Sequence, residues 1–292
     1  MIFAHLGLLL ALLHLPVDVK TVRNSFGTIE ENIEYAGAAS ASSNALDLFL
    51  PDTTDFPVVL FIHGGSFVAG SRKDFPYAQI GENFQRHGVG CAVMSYRLAH
   101  DSVWPAQPRD VAKAFAWLKE NIAHLGGNAR RIFIVGHSAG GHLAALVSTD
   151  AEYLQENGDD LKDIAGTVAM GTMISDAGSL SGISEAQADE LFRTDWFLKL
   201  FGNRKNFENS LPVRHVNTNE PPMLLMLADE ERFDPPKEET VREFMHKASD
   251  AGARVEYQVL AQRSHMGTVE QMTEKDDPAM KLVLEFIRKQ KN

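Results

Sequence analysis

The sequence predicts an α/β fold: a mostly parallel central sheet with helices on both faces and a small helical cap inserted late in the chain. Two observations carry this expectation. Short apolar runs recur from Pro57 onward, and the segments between them place apolar residues at three- and four-residue spacing. Fully buried strands alternating with amphipathic helices are the signature of a parallel sheet covered on both sides, whose ligands bind beyond the C-terminal strand ends.

The elements follow in order. After a polar, Gly/Ala/Ser-rich passage through Asn44, Ala45 to Leu50 alternate apolar and polar residues as a half-buried strand does, and Pro51 ends the run. Pro57 to Ile62 is a continuous apolar run that stops at His63-Gly64-Gly65, a buried strand feeding a glycine turn. Phe75 to His87 can be helical, with Gly88 at its C-terminus. Val89 to Ser95 is a second buried strand. Pro105 to His124 reads as a long amphipathic helix with Val111, Phe115, Leu118 and Ile122 on one face, ended by Gly126-Gly127-Asn128. Arg131 to Val135 is a strand and Ala139 to Ser148 a small-residue helix, with Gly136-His137-Ser138 as the turn between them. Ile164 to Ile174 is strand-like, and Ser175 to Asn219 has the mixed pattern of a cap of short helices. Strands at Pro222 to Leu227 and Val255 to Leu260 then alternate with helices at Lys237 to Ala251 and Pro278 to Lys289.

Composition narrows the function classes. With 292 residues, 44% apolar and 23% charged, residues 21–292 can form a single domain with the cap inserted around 175–219, and disorder is excluded. The net charge of −11 is spread along the chain and argues against nucleic acid as a partner. The lone Cys91 lies in a strand-like run, so neither an internal disulfide nor a multi-cysteine metal site is expected. Leu6 to Leu15 are too few to cross a bilayer; they fit a signal-peptide core or a hydrophobic N-terminal helix over residues 1–20. The first reading implies a secreted or periplasmic protein, the second a cytoplasmic one, and no other segment resembles a membrane span.

Gly136-His137-Ser138-Ala139-Gly140 matches the G-x-S-x-G elbow, in which a serine on a sharp strand-to-helix turn projects its hydroxyl into the cleft. The flanking glycines avoid clashes in the tight backbone, and the helix N-terminus favours developing negative charge. A nucleophilic serine needs a histidine to take its proton. Among eleven histidines, His265 follows the last strand and completes the chain order of nucleophile, acid and base. Backbone N–H groups of Gly64 or Gly65, with that of Ala139, are expected to meet an oxyanion, and His63 to organise their loop. The acid should follow the strand ending near Leu227. Among Asp229, Glu230, Glu231 and Asp234, Glu231 has the spacing from the strand and Asp234 is the alternative through its Asp-Pro step.

Taken together, His63-Gly64-Gly65-Ser66-Phe67, Tyr96-Arg97-Leu98, Pro105-Ala106-Gln107 with Asp110, and the Ser138 pentapeptide resemble the α/β-hydrolase carboxylesterases related to hormone-sensitive lipase. The similarity is greatest to the branch with feruloyl-esterase-like, kynurenine-formamidase-like and isoprenylcysteine-methylesterase-like enzymes. Ser66 stands where the lipase-like branch often has a third glycine. The resemblance implies an α/β-hydrolase fold and cofactor-free, metal-free hydrolysis of a small-molecule ester or amide through an acyl-serine, with Gly64, Gly65 and Ala139 as oxyanion donors. An ester with a short acyl chain is the expected substrate; a formamide, or a noncatalytic binding role on the same scaffold, are the alternatives. Phe67, Trp104 and the aromatics of 175–219 are expected to line an apolar substrate pocket, though they read equally well as core. Oligomeric state is not encoded in any of these features.

Overall fold

The computed structural model describes residues 19–36, 43–99, 101–175, 184–233 and 237–290. The Leu6 to Leu15 stretch, residues 176–183 of the expected cap and Asp234 lie outside the described residues.

Nine strands form one sheet in the order β1-β2-β3-β5-β4-β6-β7-β8-β9. Strands β1 (Lys20–Asn24) and β2 (Gly27–Glu34) make a hairpin that no apolar run in the sequence signals. Its side chains are largely exposed or half-buried, and an edge hairpin has no need of a continuous apolar run. The turn is set by Asn24, whose side chain accepts the Phe26 and Gly27 amides at 2.8 and 3.0 Å. Strand β3 (Ala45–Pro51) runs antiparallel to β2 and β5. It is buried throughout, not half-buried as its alternation predicts, because Asp47 accepts from the Asn32 amide at 2.8 Å and from Arg72 Nε at 3.1 Å.

From β5 (Gly90–Met94) through β4 (Phe56–Ile62), β6 (Gly127–His137), β7 (Gly166–Met170), β8 (Met223–Ala228) and β9 (Val255–Leu260) every pairing is parallel. Alternate residues of β4 feed opposite layers. Val58, Leu60 and Ile62 pack with Val111, Phe115 and Leu118 of α2 (Ala106–Asn121) and Leu143 of α3 (Ala139–Val147). Val59 and Phe61 pack with Ile80 and Phe84 of α1 (Tyr77–Arg86) and with Met280, Val283 and Phe286 of the last helix, Pro278–Lys289.

Between β6 and β7 come α3 and the short α4 (Glu152–Gln155). Between β7 and β8 stand α5 (Glu185–Leu191), α6 (Asp195–Phe201) and α7 (Arg204–Asn209), where the sequence predicts the cap. Helix α8 (Lys237–Ala251) lies against β8 through Val241 and Phe244. One further helix was unforeseen: α9 (His265–Glu270) begins at a residue expected in a loop, and Ser264 caps it by accepting the Gly267 amide at 3.1 Å. The final helix is α10. Among the described residues no helix is long and apolar enough to cross a membrane.

Candidate active site

The turn from β6 into α3 is built around Ser138, a non-glycine residue at φ 56° and ψ −122°. Such a conformation costs about 1–3 kcal/mol and persists only where its surroundings enforce it. The enforcement is visible. A Cβ on Gly136 would lie 2.2 Å from Gly140 O, and one on Gly140 would lie 2.1 Å from Ile62 O, so both glycines of the pentapeptide let α3 start directly against β4 and β6. The Ser138 amide donates to Met170 O at 2.8 Å, fixing the elbow to the end of β7. Ala139 opens α3, where the first N–H groups have no intrahelical partner.

The loop after β4 passes beside this serine: a Cβ on Gly64 would come within 3.1 Å of Ser138 Cβ. Gly65, Ser66 and Phe67 are all left-handed, with φ of 119°, 52° and 63°, so Ser66 takes the backbone form that a glycine would take freely. The Gly64 amide, expected as an oxyanion donor, instead donates to Tyr77 Oη at 3.0 Å. The amides of Gly65 and Ser66 have no protein acceptor among the described residues. His63 organises the loop. Its Nδ1 donates to Gly64 O at 2.6 Å, its ring stacks on Tyr96 at 4.3 Å, and Tyr96 Oη donates to His63 O at 3.2 Å. Burial pushes the His63 imidazole down to about 4, which keeps it neutral.

His265, first residue of α9, is joined through Nδ1 to Glu231 Oε2. Glu231 sits in the 3₁₀ turn Asp229–Glu231 directly after β8, is buried, and accepts the Ala228 amide at 3.3 Å through Oε1. Of the other carboxylates in this loop, Glu230 is exposed, and Asp229 accepts the Gln262 and Arg263 amides at 2.7 and 2.8 Å, holding the segment that leads to His265. Burial pushes the Glu231 carboxyl up, but its bonds from His265 and Lys237 outweigh this and hold it at about 2.

Three neighbours of this pair had not been singled out for these roles in the sequence. Lys237 Nζ donates to Glu231 Oε2 at 2.9 Å and to Gly171 O at 3.0 Å. Gly171, at φ 61°, has no room for a side chain: a Cβ would lie 3.0 Å from both Glu231 Oε1 and His265 Nδ1. His137 donates through Nε2 to the His265 carbonyl at 3.0 Å, with the two rings 4.5 Å apart, so the residue before Ser138 holds the main chain of His265. A glycine just past a strand end is a sequence signal that could have found Gly171; no local pattern marks Lys237. Ser138 Oγ makes no hydrogen bond among the described residues, to His265 or otherwise.

Ser138 opens onto a cavity of about 320 Å³ whose walls include Phe67, Met173, Phe197, Phe201 and Phe207. Trp104, expected in that wall, stands behind it: it is buried, edge-on to Phe67 at 5.9 Å and against Phe201 at 5.6 Å. The cap helices α6 and α7 thus supply most of the aromatic lining.

Known proteins resemble this chain in sequence and in fold. The chain is 28% identical over 185 residues to esterase LipC of Mycobacterium tuberculosis, an alignment covering 60% of this chain and 44% of LipC. It is 22% identical over 253 residues to kynurenine formamidase of Danio rerio, covering 85% of this chain and 80% of that protein. The chain spans about half the length of the mycobacterial esterases it matches. Among solved structures, a truncated carbohydrate esterase from gut microbiota superposes with a TM-score of 0.73 at 21% identity, covering 92% of this chain and 98% of that one, which establishes the α/β-hydrolase fold. The BD-FAE family profile matches residues 46–241, from β3 into α8, and the chain belongs to the BD-FAE family.

Proposed function

We propose that the chain is a serine hydrolase that cleaves a carboxylic ester through an acyl-enzyme, with Ser138 as nucleophile, His265 as base and Glu231 as acid. The observation that carries this is the pairing of half-buried His265 with buried Glu231, tied by His137 to an elbow that holds Ser138 in a left-handed conformation at the mouth of an apolar cavity. The mechanism requires Ser138 Oγ and His265 Nε2 to meet when substrate binds; in unliganded sites such bonds are often long and tighten only with substrate.

His265 Nε2 takes the hydroxyl proton as Ser138 Oγ attacks the carbonyl carbon. Glu231 holds Nδ1–H and stabilises the imidazolium that forms. The oxyanion faces the amides of Ala139 and Gly65, with Ser66 as a further donor; each such donor is worth about 10²–10³-fold in rate. His265 then protonates the departing alcohol, and water repeats the sequence on the acyl-serine.

A cavity of about 320 Å³ closed by cap aromatics suits a short acyl group or a single ring. The test is a panel of p-nitrophenyl esters of increasing chain length against wild type and Ser138→Ala, with labelling by a fluorophosphonate. Hydrolysis that favours short chains, and labelling that vanishes in Ser138→Ala, are expected. Wild-type protein that neither reacts with the fluorophosphonate nor hydrolyses any ester would leave a binding role on a hydrolase scaffold. The similarity to kynurenine formamidase, which runs over most of both chains, favours amide cleavage as the second reading. Faster turnover of an N-formyl aromatic amine than of any ester in the panel would select it.

A further inference from the structure

We propose that Lys237 is a positioning residue for the hydrolysis, one that sets the charge on the acid side of His265 and thereby keeps the serine reactive at lower pH. This rests on the assignment of Ser138, His265 and Glu231 made above.

Lys237 is no ordinary surface cation. Its side chain is 12% exposed, and its ammonium is immobilised between Glu231 Oε2 at 2.9 Å and Gly171 O at 3.0 Å, 3.4 Å from His265 Nδ1. It also occupies the first residue of α8, where the helix dipole disfavours a positive charge. The helix therefore does not explain a lysine here; the cluster does. Glu231 Oε2 is shared by two donors, one from His265 and one from Lys237.

Charge counting gives the consequence. With Lys237 in place, the resting cluster of ammonium, carboxylate and neutral imidazole sums to zero, and protonating His265 makes it positive. Without the ammonium the resting pair is negative, and the same proton makes it neutral. Burial penalises net charge, so Lys237 opposes protonation of the imidazole, which must be neutral to accept the serine proton. The other groups around His265 do not change sign with it. His137, from the end of β6, is kept neutral by burial, Asp229 is engaged by backbone amides, and Arg263 is paired with Asp277.

The experiment is the second-order rate of fluorophosphonate labelling of the full chain from about pH 5 to about pH 9, which reads the serine without needing its natural substrate. In wild type the rate rises along an acid limb to a plateau. Lys237→Met is expected to move that limb up by about one pH unit, so that within the limb labelling falls about tenfold relative to its own plateau. Lys237→Arg, which keeps the charge, should restore the wild-type limb. Should Lys237→Met fail to fold by circular dichroism, Lys237→Gln is measured in its place. A limb that stays at the wild-type position in the uncharged variant, with only the plateau lowered, reduces Lys237 to a structural tie and overturns the proposal. Labelling that persists in Ser138→Ala instead defeats the underlying assignment of the serine, so the two failures are distinct.

Discussion

Ser138 and Glu231 flank His265 in the proposed triad, and single substitutions separate their roles. Glu231→Gln keeps the shape of the side chain but no longer fixes and balances the imidazole, and should lower kcat by about 10³–10⁴-fold. Asp234→Asn, which touches the alternative acid, should change kcat less than about tenfold; the reverse ranking in steady-state assays of the two variants would move the acid to Asp234. Gly171→Ala places a methyl 3.0 Å from both Glu231 Oε1 and His265 Nδ1 at a positive φ. It is expected to reduce kcat more than KM, since the Glu231–His265 pair must shift, while Gly171 is only one of many residues lining the cavity. The chemistry-bearing side chains were legible because their types and chain order are few. Tyr77, Gly171 and Lys237 were not, because each acts through atoms 6 to 94 positions away in the sequence, whose approach only folding sets.

Elements carry the site through close approach, chiefly of α3 to the sheet and of the loop after β4 to α1. Gly140→Ala would put a Cβ 2.1 Å from Ile62 O, and backbone on both sides cannot yield cheaply. A loss of at least about 3 kcal/mol is expected in urea unfolding. Tyr77→Phe leaves the buried Gly64 amide without its acceptor and should cost about 1–3 kcal/mol, seen in the same unfolding measurement. The strands and the longer helices from β4 to α10 could be read from periodicity because each pairs an apolar run with a covered face. The β1–β2 hairpin escaped because an edge needs no such run, and α9 because six residues capped by Ser264 hold less than two full turns of pattern.

For the whole molecule, buried imidazoles set the response to acid. Burial depresses His63 to about 4 and His137 to about 3, from an ordinary value of 6.5. The unfolded chain binds these protons first, so their cost is absent above pH 6.5 and grows as pH falls from there toward about 3. Glu231, held at about 2, adds stability that is present above its ordinary 4.5 and is lost as pH falls from 4.5 to about 2. The melting temperature should therefore fall steadily below pH 6.5, and His137→Gln, which keeps a donor for the His265 carbonyl, should flatten that slope; a flat wild-type profile down to pH 4.5 would contradict both. Sequence alone determined the layer order, the strand-to-helix turn that presents Ser138 and the histidine that follows the last strand, since these depend on local periodicity and on which residues tolerate a tight backbone. Tertiary structure decided which of four neighbouring carboxylates meets His265, which loop amides stay unpaired and that Trp104 backs the pocket wall, because each is a question of direction, and side-chain direction is set by packing between segments distant in the chain.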